Sequence, residues 1–166
     1  EKKKPKPERE LRNFKFASWR IHPTTNEVTA VLERQPPSAY NFKAHQLIVL
    51  RLDTLGQLRW ATPIQKWGDL KESLETFLSH YLVVQDDATY ILYNTGIYAE
   101  NQAVVARINA KGEKTTKILF RYNNQFELVC PRLSYPVGDK LFICLQSQFF
   151  ESYRFGLVDL ARLFKD

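Results

Sequence analysis

Two stretches of this chain align with each other: LIVLRLDTLGQLRW at 47–60 and AVVARINAKGEKTT at 103–116. Arg51 meets Arg107, Asp53 meets Asn109 and Gly56 meets Gly112. Their shared grammar is an apolar strand, Arg and an apolar residue, Asp or Asn, two spacers, the turn Gly, and a second strand. A weaker copy, YRFGLVDL at 153–160, takes the place of the first of these strands and lacks the Gly. Upstream of each copy stands another pair of apolar runs broken by a turn, at 16–34, 77–95 and 129–147. The repeating unit is therefore about four strands in roughly 50 to 60 residues, a period that signals solenoids or propellers, because one sheet cannot cover both its own faces. Any β-hairpin closed by Gly shares part of this grammar, so coincidence is the competing explanation.

The rest of the chain follows the same pattern. Short apolar stretches rich in β-branched and aromatic residues alternate with turn residues every 8 to 12 positions or so, which predicts an all-β, mainly antiparallel fold. Strands are expected near 14–21, 27–34, 46–53, 57–65, 80–85, 89–94, 102–109, 114–121, 126–134, 140–147 and 153–160. Asn26, Asp86-Asp87 and Gly138-Asp139 divide pairs of runs, and Gly56 and Gly112 supply the positive φ of tight reversals. In 69–81, Leu70, Leu74, Phe77, Leu78 and Tyr81 fall at helical spacing, and Asp69 with Glu72 resembles a capping box, so a short helix is expected near 69–79. Leu157, Leu160, Ala161 and Phe164 fit a helical stripe too, but the period-2 run before them favours a strand that stops near Leu160.

With the repeat in hand, HQLIVLRLDTLGQLRWATPIQK at 45–66, AVVARINAKGEKTTKILF at 103–120 and CPRLSYPVGDKLFIC at 130–144 resemble the blade repeats of uncharacterised β-propeller-like proteins of the bacterial cell envelope. In that family a strand ends in a charged residue and Asp or Asn, a Gly turn follows, and a Trp often opens the next strand, here Trp60. The resemblance spans about three blades, from roughly 14 to 160 (repeats about 14–66, 76–121 and 126–160). It implies propeller-like four-stranded sheets, export from the cytoplasm and a binding or scaffolding role, and it implies no active site. Three blades are fewer than the four or more that close a propeller, so further blades, several copies or an open arc with capped ends would be needed.

Composition sets the remaining bounds. The chain has 166 residues, enough for one sizeable core. Of the net charge of +6, half belongs to residues 1–12, which hold six bases and three acids and leave 18 bases against 15 acids beyond them. This Lys/Pro-rich segment is expected to be a disordered tether leading into a single β-repeat domain over 13–166. The remaining bases are interspersed with acids, whereas a phosphate-gripping domain concentrates them on one face. No apolar run reaches the roughly 20 residues of a membrane span, and the absence of Met and of a signal pattern suggests a processed or partial chain.

Sites of chemistry are sparse. His22, His45 and His80 lack the spacing and the Cys or carboxylate neighbours of a metal site, so no metal or other cofactor is expected. Asp86 and Asp87 fit turn geometry better than an acid/base or calcium pair. Cys130 and Cys144 lie on consecutive expected strands; buried thiols are the default, with a disulfide as the alternative in an oxidising compartment. Phosphate-binding Gly loops and nucleophile elbows are absent from the sequence. The best candidates for recognition are loop aromatics, namely Tyr40 (with Phe42), Trp67, Tyr98 and Phe149 (with Phe150), which suit protein or carbohydrate contacts if one end of the stack gathers them. Rings that plug gaps between sheets are the alternative.

These readings predict a non-catalytic binding or scaffolding module of the bacterial envelope, outside the cytoplasm, acting through loops on stacked sheets and capable of assembly with further blades or copies. Two alternatives are a nucleic-acid-binding module using the basic tail and stacking aromatics, and a hydrolase with a site the sequence does not reveal.

Overall fold

A computed structural model describes residues 13–34, 42–43, 46–66, 69–70, 79–85, 87–96, 101–122, 127–147 and 152–165. In chain order the first strands are β1 (Phe14–Ile21), β2 (Val28–Arg34), β3 (Phe42–Lys43), β4 (Gln46–Leu52), β5 (Leu58–Gln65) and β6 (Asp69–Leu70). They are followed by β7 (His80–Val84), β8 (Ala88–Thr95), β9 (Asn101–Asn109) and β10 (Lys114–Tyr122). The last are β11 (Glu127–Val129), β12 (Tyr135–Val137), β13 (Lys140–Ser147) and β14 (Tyr153–Asp159). Every strand pair is antiparallel.

The first sheet runs β1-β2-β4-β5 and the second β7-β8-β9-β10, each a meander of four neighbours. In the third, β11 and β12 pair with the two halves of one side of β13, and β14 pairs with its other side. The third sheet is thus three strands wide. The interruption falls where Pro131–Leu133 form a 3-10 turn. This corrects the single strand expected over 126–134: Pro131 has no N–H to donate to a ladder.

The internal repeat has a geometric counterpart. In the β4–β5 turn Asp53 N donates to Gln57 O and Gly56 N to Asp53 O, while Asp53 Oδ1 accepts from Leu55 N and Gln57 N. The β9–β10 turn repeats this pattern bond for bond, from Asn109 N to Glu113 O, from Gly112 N to Asn109 O, and from Lys111 N and Glu113 N to Asn109 Oδ1. Gly56 and Gly112 have φ of 78° and 84°, the left-handed region that only Gly enters freely. In the third copy Asp159 stands where Asp53 and Asn109 stand, but no Gly follows. Its Oδ1 accepts instead from Arg162 N, capping a single helical turn, Leu160–Leu163. The strand therefore ends at Asp159, close to the expected stop at Leu160.

The three sheets stack with the second in the middle. Val31, Leu47, Val49 and Ile64 of the first sheet pack on Leu82, Ile91, Val104, Ala106 and Ile108 of the second. The opposite side of the second sheet, with Tyr90, Leu92, Ala103 and Val105, packs on Leu128, Leu141 and Ile143 of the third. Cover on both faces explains β8, whose run ATYILYN is buried at every position and lacks polar alternation. Leu160 closes this second core, and Phe164 sets its ring 5.9 Å from that of Tyr90.

The helix expected near 69–79 falls mostly outside the described residues. Its first two positions are extended instead, with Asp69 and Leu70 pairing Lys43 and Phe42. The 1–12 segment, Asp86 and His45 also lie outside the described residues.

Candidate functional site

The meander topology puts one set of reversals, of two to six residues, at one end of the stack: those after β1, β4, β7, β9 and β12. The connections after β2, β5, β8, β10 and β13 leave the other end, and those after β2 and β5, at 35–45 and 66–79, are the longest. Contacts across the sheets establish that the ends coincide, since Glu33 late in β2 meets His80 at the start of β7, and Asn94 late in β8 donates to Val129 O, 2.7 Å away, in the half of β11–β13 pairing that lies at this end.

Tyr40, Trp67, Tyr98 and Phe149 belong to four of the connections at this end and lie outside the described residues, as does Phe150. What the structure does describe is the framework around two of them. The β3–β6 ladder ties the β2–β4 connection to the β5–β7 connection, with Phe42 opposite Leu70 and Lys43 opposite Asp69. Tyr40 and Trp67 each sit two residues before one of its strands.

Beneath those connections lies a buried polar cluster that sequence reasoning missed. Lys66, just past β5, is fully buried, and its Nζ donates to Glu33 Oε1 at 3.0 Å. Glu33 Oε2 lies 4.0 Å from His80 Nδ1, and His80 Nε2 lies 2.7 Å from Ser18 Oγ. Ser18 reaches this position because the β1–β2 register shifts between Phe16 and Ser18, a bulge that turns its side chain toward the second sheet. Burial pushes His80 down to about 4, with Lys66 adding to the effect and Glu33 opposing it, so the imidazole is neutral near pH 7. Burial likewise lowers Lys66, partly offset by Glu33.

Serine, imidazole and carboxylate in this sequence are the parts of a proton relay, but the geometry falls short of one. A 4.0 Å separation is no hydrogen bond, so the carboxylate does not fix the imidazole tautomer as a general base requires. Glu33 is committed to Lys66 instead. The cluster joins β1, β2 and the end of β5 to β7, and in doing so it holds the roots of two long connections against each other.

The end with the tight turns is organised by ion pairs. The residue just before the second strand of each sheet is acidic: Glu27, Asp87 and Asp139. Arg51 Nε meets Glu27 at 2.7 Å and Arg107 meets Asp87 at 2.8 Å, an equivalent pair in each of the first two sheets. Asp87 thus stands in a turn and also forms an ion pair, which sequence reasoning did not anticipate. In the third sheet Leu157 stands where the Arg does in the others. Cys130 and Cys144 are buried free thiols on neighbouring backbones, with Cys130 N donating to Cys144 O at 2.7 Å. Burial, reinforced by Cys144, pushes the Cys130 thiol up to about 12.

His22 is buried, and its Nδ1 accepts from Thr25 N in the β1–β2 turn, a structural use of the ring. Among the described residues no three His, Cys, Asp or Glu side chains converge as metal ligands would, and no helix is long and apolar enough to cross a membrane. No protein-family model matches the chain, and the search of the curated proteins finds no match either.

Proposed function

We propose that this chain is a non-catalytic binding or scaffolding module in which propeller-like stacked sheets hold recognition loops at one end. The observation that carries the reading is the arrangement of connections: reversals of two to six residues close one end, and the connections carrying Tyr40, Trp67, Tyr98 and Phe149, among them the two longest at 35–45 and 66–79, all leave the other. Rigid sheets that present variable loops are a common basis of recognition. The ladder between β3 and β6 and the buried Glu33–Lys66 pair support it, since both constrain where two of those loops begin. Aromatic side chains in such loops suit a protein or a carbohydrate partner. The likeness of the repeat to blade repeats of envelope proteins supports a setting in the bacterial envelope, outside the cytoplasm.

The test is retention of partners from an envelope extract and of glycans on an array, compared across three variants. Trp67→Ala and Tyr40→Ala should each lower retention about tenfold or more with little change in melting temperature. Leu55→Ala, at an exposed tight turn on the opposite end, should leave retention unchanged. Equal loss with Leu55→Ala, or no loss with either aromatic variant, would overturn the reading.

A further inference from the structure

The two ends of the stack are apolar where solvent-facing sheets are polar. On the face of the first sheet turned away from the second, β1 places Phe16, Trp19 and Ile21, which are 64%, 55% and 54% exposed. Across that face lie Leu32 and Val28 of β2, the even-numbered aliphatics of β4, and Leu58, Ala61 and Pro63 of β5. Polar residues on this face, Arg34, Gln46 and Gln65, are confined to the row at its edge beside Phe14. On the far face of the third sheet, Tyr135, Phe142, Tyr153, Phe155 and Leu157 form an apolar surface, edged by Gln146 at one end and by Lys140 and Asp159 at the other, with the rings of Phe142 and Phe155 stacked at 5.4 Å.

Terminal units of a stacked array ordinarily carry a polar outer face. Here the middle of each outer face has the apolar character of the buried inner ones. Each exposes roughly 500 Å2 of apolar side chain, about the size of the largest patch on an ordinary monomer, which is often a functional surface, and this chain carries two of them. A single charged residue on the first face, Arg34 at its edge, disfavours a nucleic acid, which is gripped through several phosphates.

We infer that these two faces bind each other between copies of this chain, with the first sheet of one copy packing on the third sheet of its partner. The direction follows from the interfaces within the chain. Each pairs one sheet with the next in sequence order, with the tight turns at a common end. Continuing that order brings the far face of the third sheet to the far face of the first. Two copies joined this way at both ends make six sheets, within the four to eight of closed propellers. The two junctions would bury on the order of 2,000 Å2 in total, the range of stable dimers. The inference rests on sheet faces and is independent of what the loops bind.

Mass in solution tests it, using the full chain across the micromolar range. The wild type should have twice the 19.5 kDa of one chain. Trp19→Glu and Phe155→Glu should each weaken association about a hundredfold or more and give monomers, because every junction uses both faces. Mixing the two variants should restore a dimer, since one supplies an intact third-sheet face and the other an intact first-sheet face. Circular dichroism checks the fold, and Trp19→Gln with Phe155→Gln replaces the pair if either Glu variant unfolds. A monomeric wild type would overturn the inference. So would a dimer that survives one of the two substitutions, the mark of a face pairing with itself, or a mixture that stays monomeric.

Discussion

Four side chains from β1, β2, β7 and the residue just past β5, namely Ser18, Glu33, His80 and Lys66, meet at the seam of the first two sheets, and His80 carries the clearest consequence. Its ordinary value of 6.5 is lowered to about 4 by burial, so the folded form takes up a proton less readily than the unfolded chain. Stability is then fully present above about pH 6.5 and is lost as pH falls toward 4, by at most about 3 kcal/mol from this residue. Urea unfolding at pH 7 and pH 4.5 should reveal that loss in the wild type and a smaller one in His80→Gln. An equal loss in both would mean the imidazole is not buried uncharged. None of this cluster was legible in the sequence. Ser18 and His80 are 62 positions apart, and each member occurs among alternating apolar and polar residues where a solvent-facing role is the natural expectation. The one local hint is the bulge near Ala17, which has no sequence signature. Asp159 was easier to read, because the same Asp or Asn recurs in all three copies; what differs is the missing Gly, which exchanges a reversal for a helical turn.

At the scale of elements the strands were largely legible. The apolar runs at 14–21 and 140–147 match β1 and β13 residue for residue, with Asn13 before the first and Gly138-Asp139 before the second marking where each begins. Sequence reasoning missed β3 and β6, since two residues are too few to display a period of two. The two Gly turns were read as equivalent, and their backbones are, yet their surroundings differ. A Cβ on Gly56 would meet open space, whereas one on Gly112 would come within 2.9 Å of Trp60 Cβ and Cγ, atoms at the rigid base of that side chain. The same turn receives Thr62 Oγ1 as a donor to Gly112 O, so it presses against the first sheet. Gly56→Ala should therefore cost about 1 kcal/mol, the strain of a left-handed backbone. Gly112→Ala should cost roughly 1–3 kcal/mol more, from overpacking against Trp60. Chemical denaturation of the two variants measures the difference, and equal costs would contradict the contact between the sheets.

For the whole molecule, the account is that three repeated sheets shield one another, with the second covered on both sides and the outer faces of the first and third open in a single copy. The repeat made the stacking legible, and the unbroken apolar run of β8 marks the middle sheet. The apolar outer faces were not read from the sequence, because face assignment depends on register, and the bulges at Phe16/Ser18 and Arg51/Leu52 alter it. β4 and β9 are a matched pair for testing this. Each is the third strand of its meander and ends in the same turn, so they differ chiefly in what covers them. Native-state hydrogen exchange, at a concentration dilute enough to keep single copies apart, measures the difference directly. Amides of β9 should exchange more slowly than their counterparts in β4. Equal protection, or slower exchange in β4, would contradict the stack with the second sheet at its centre.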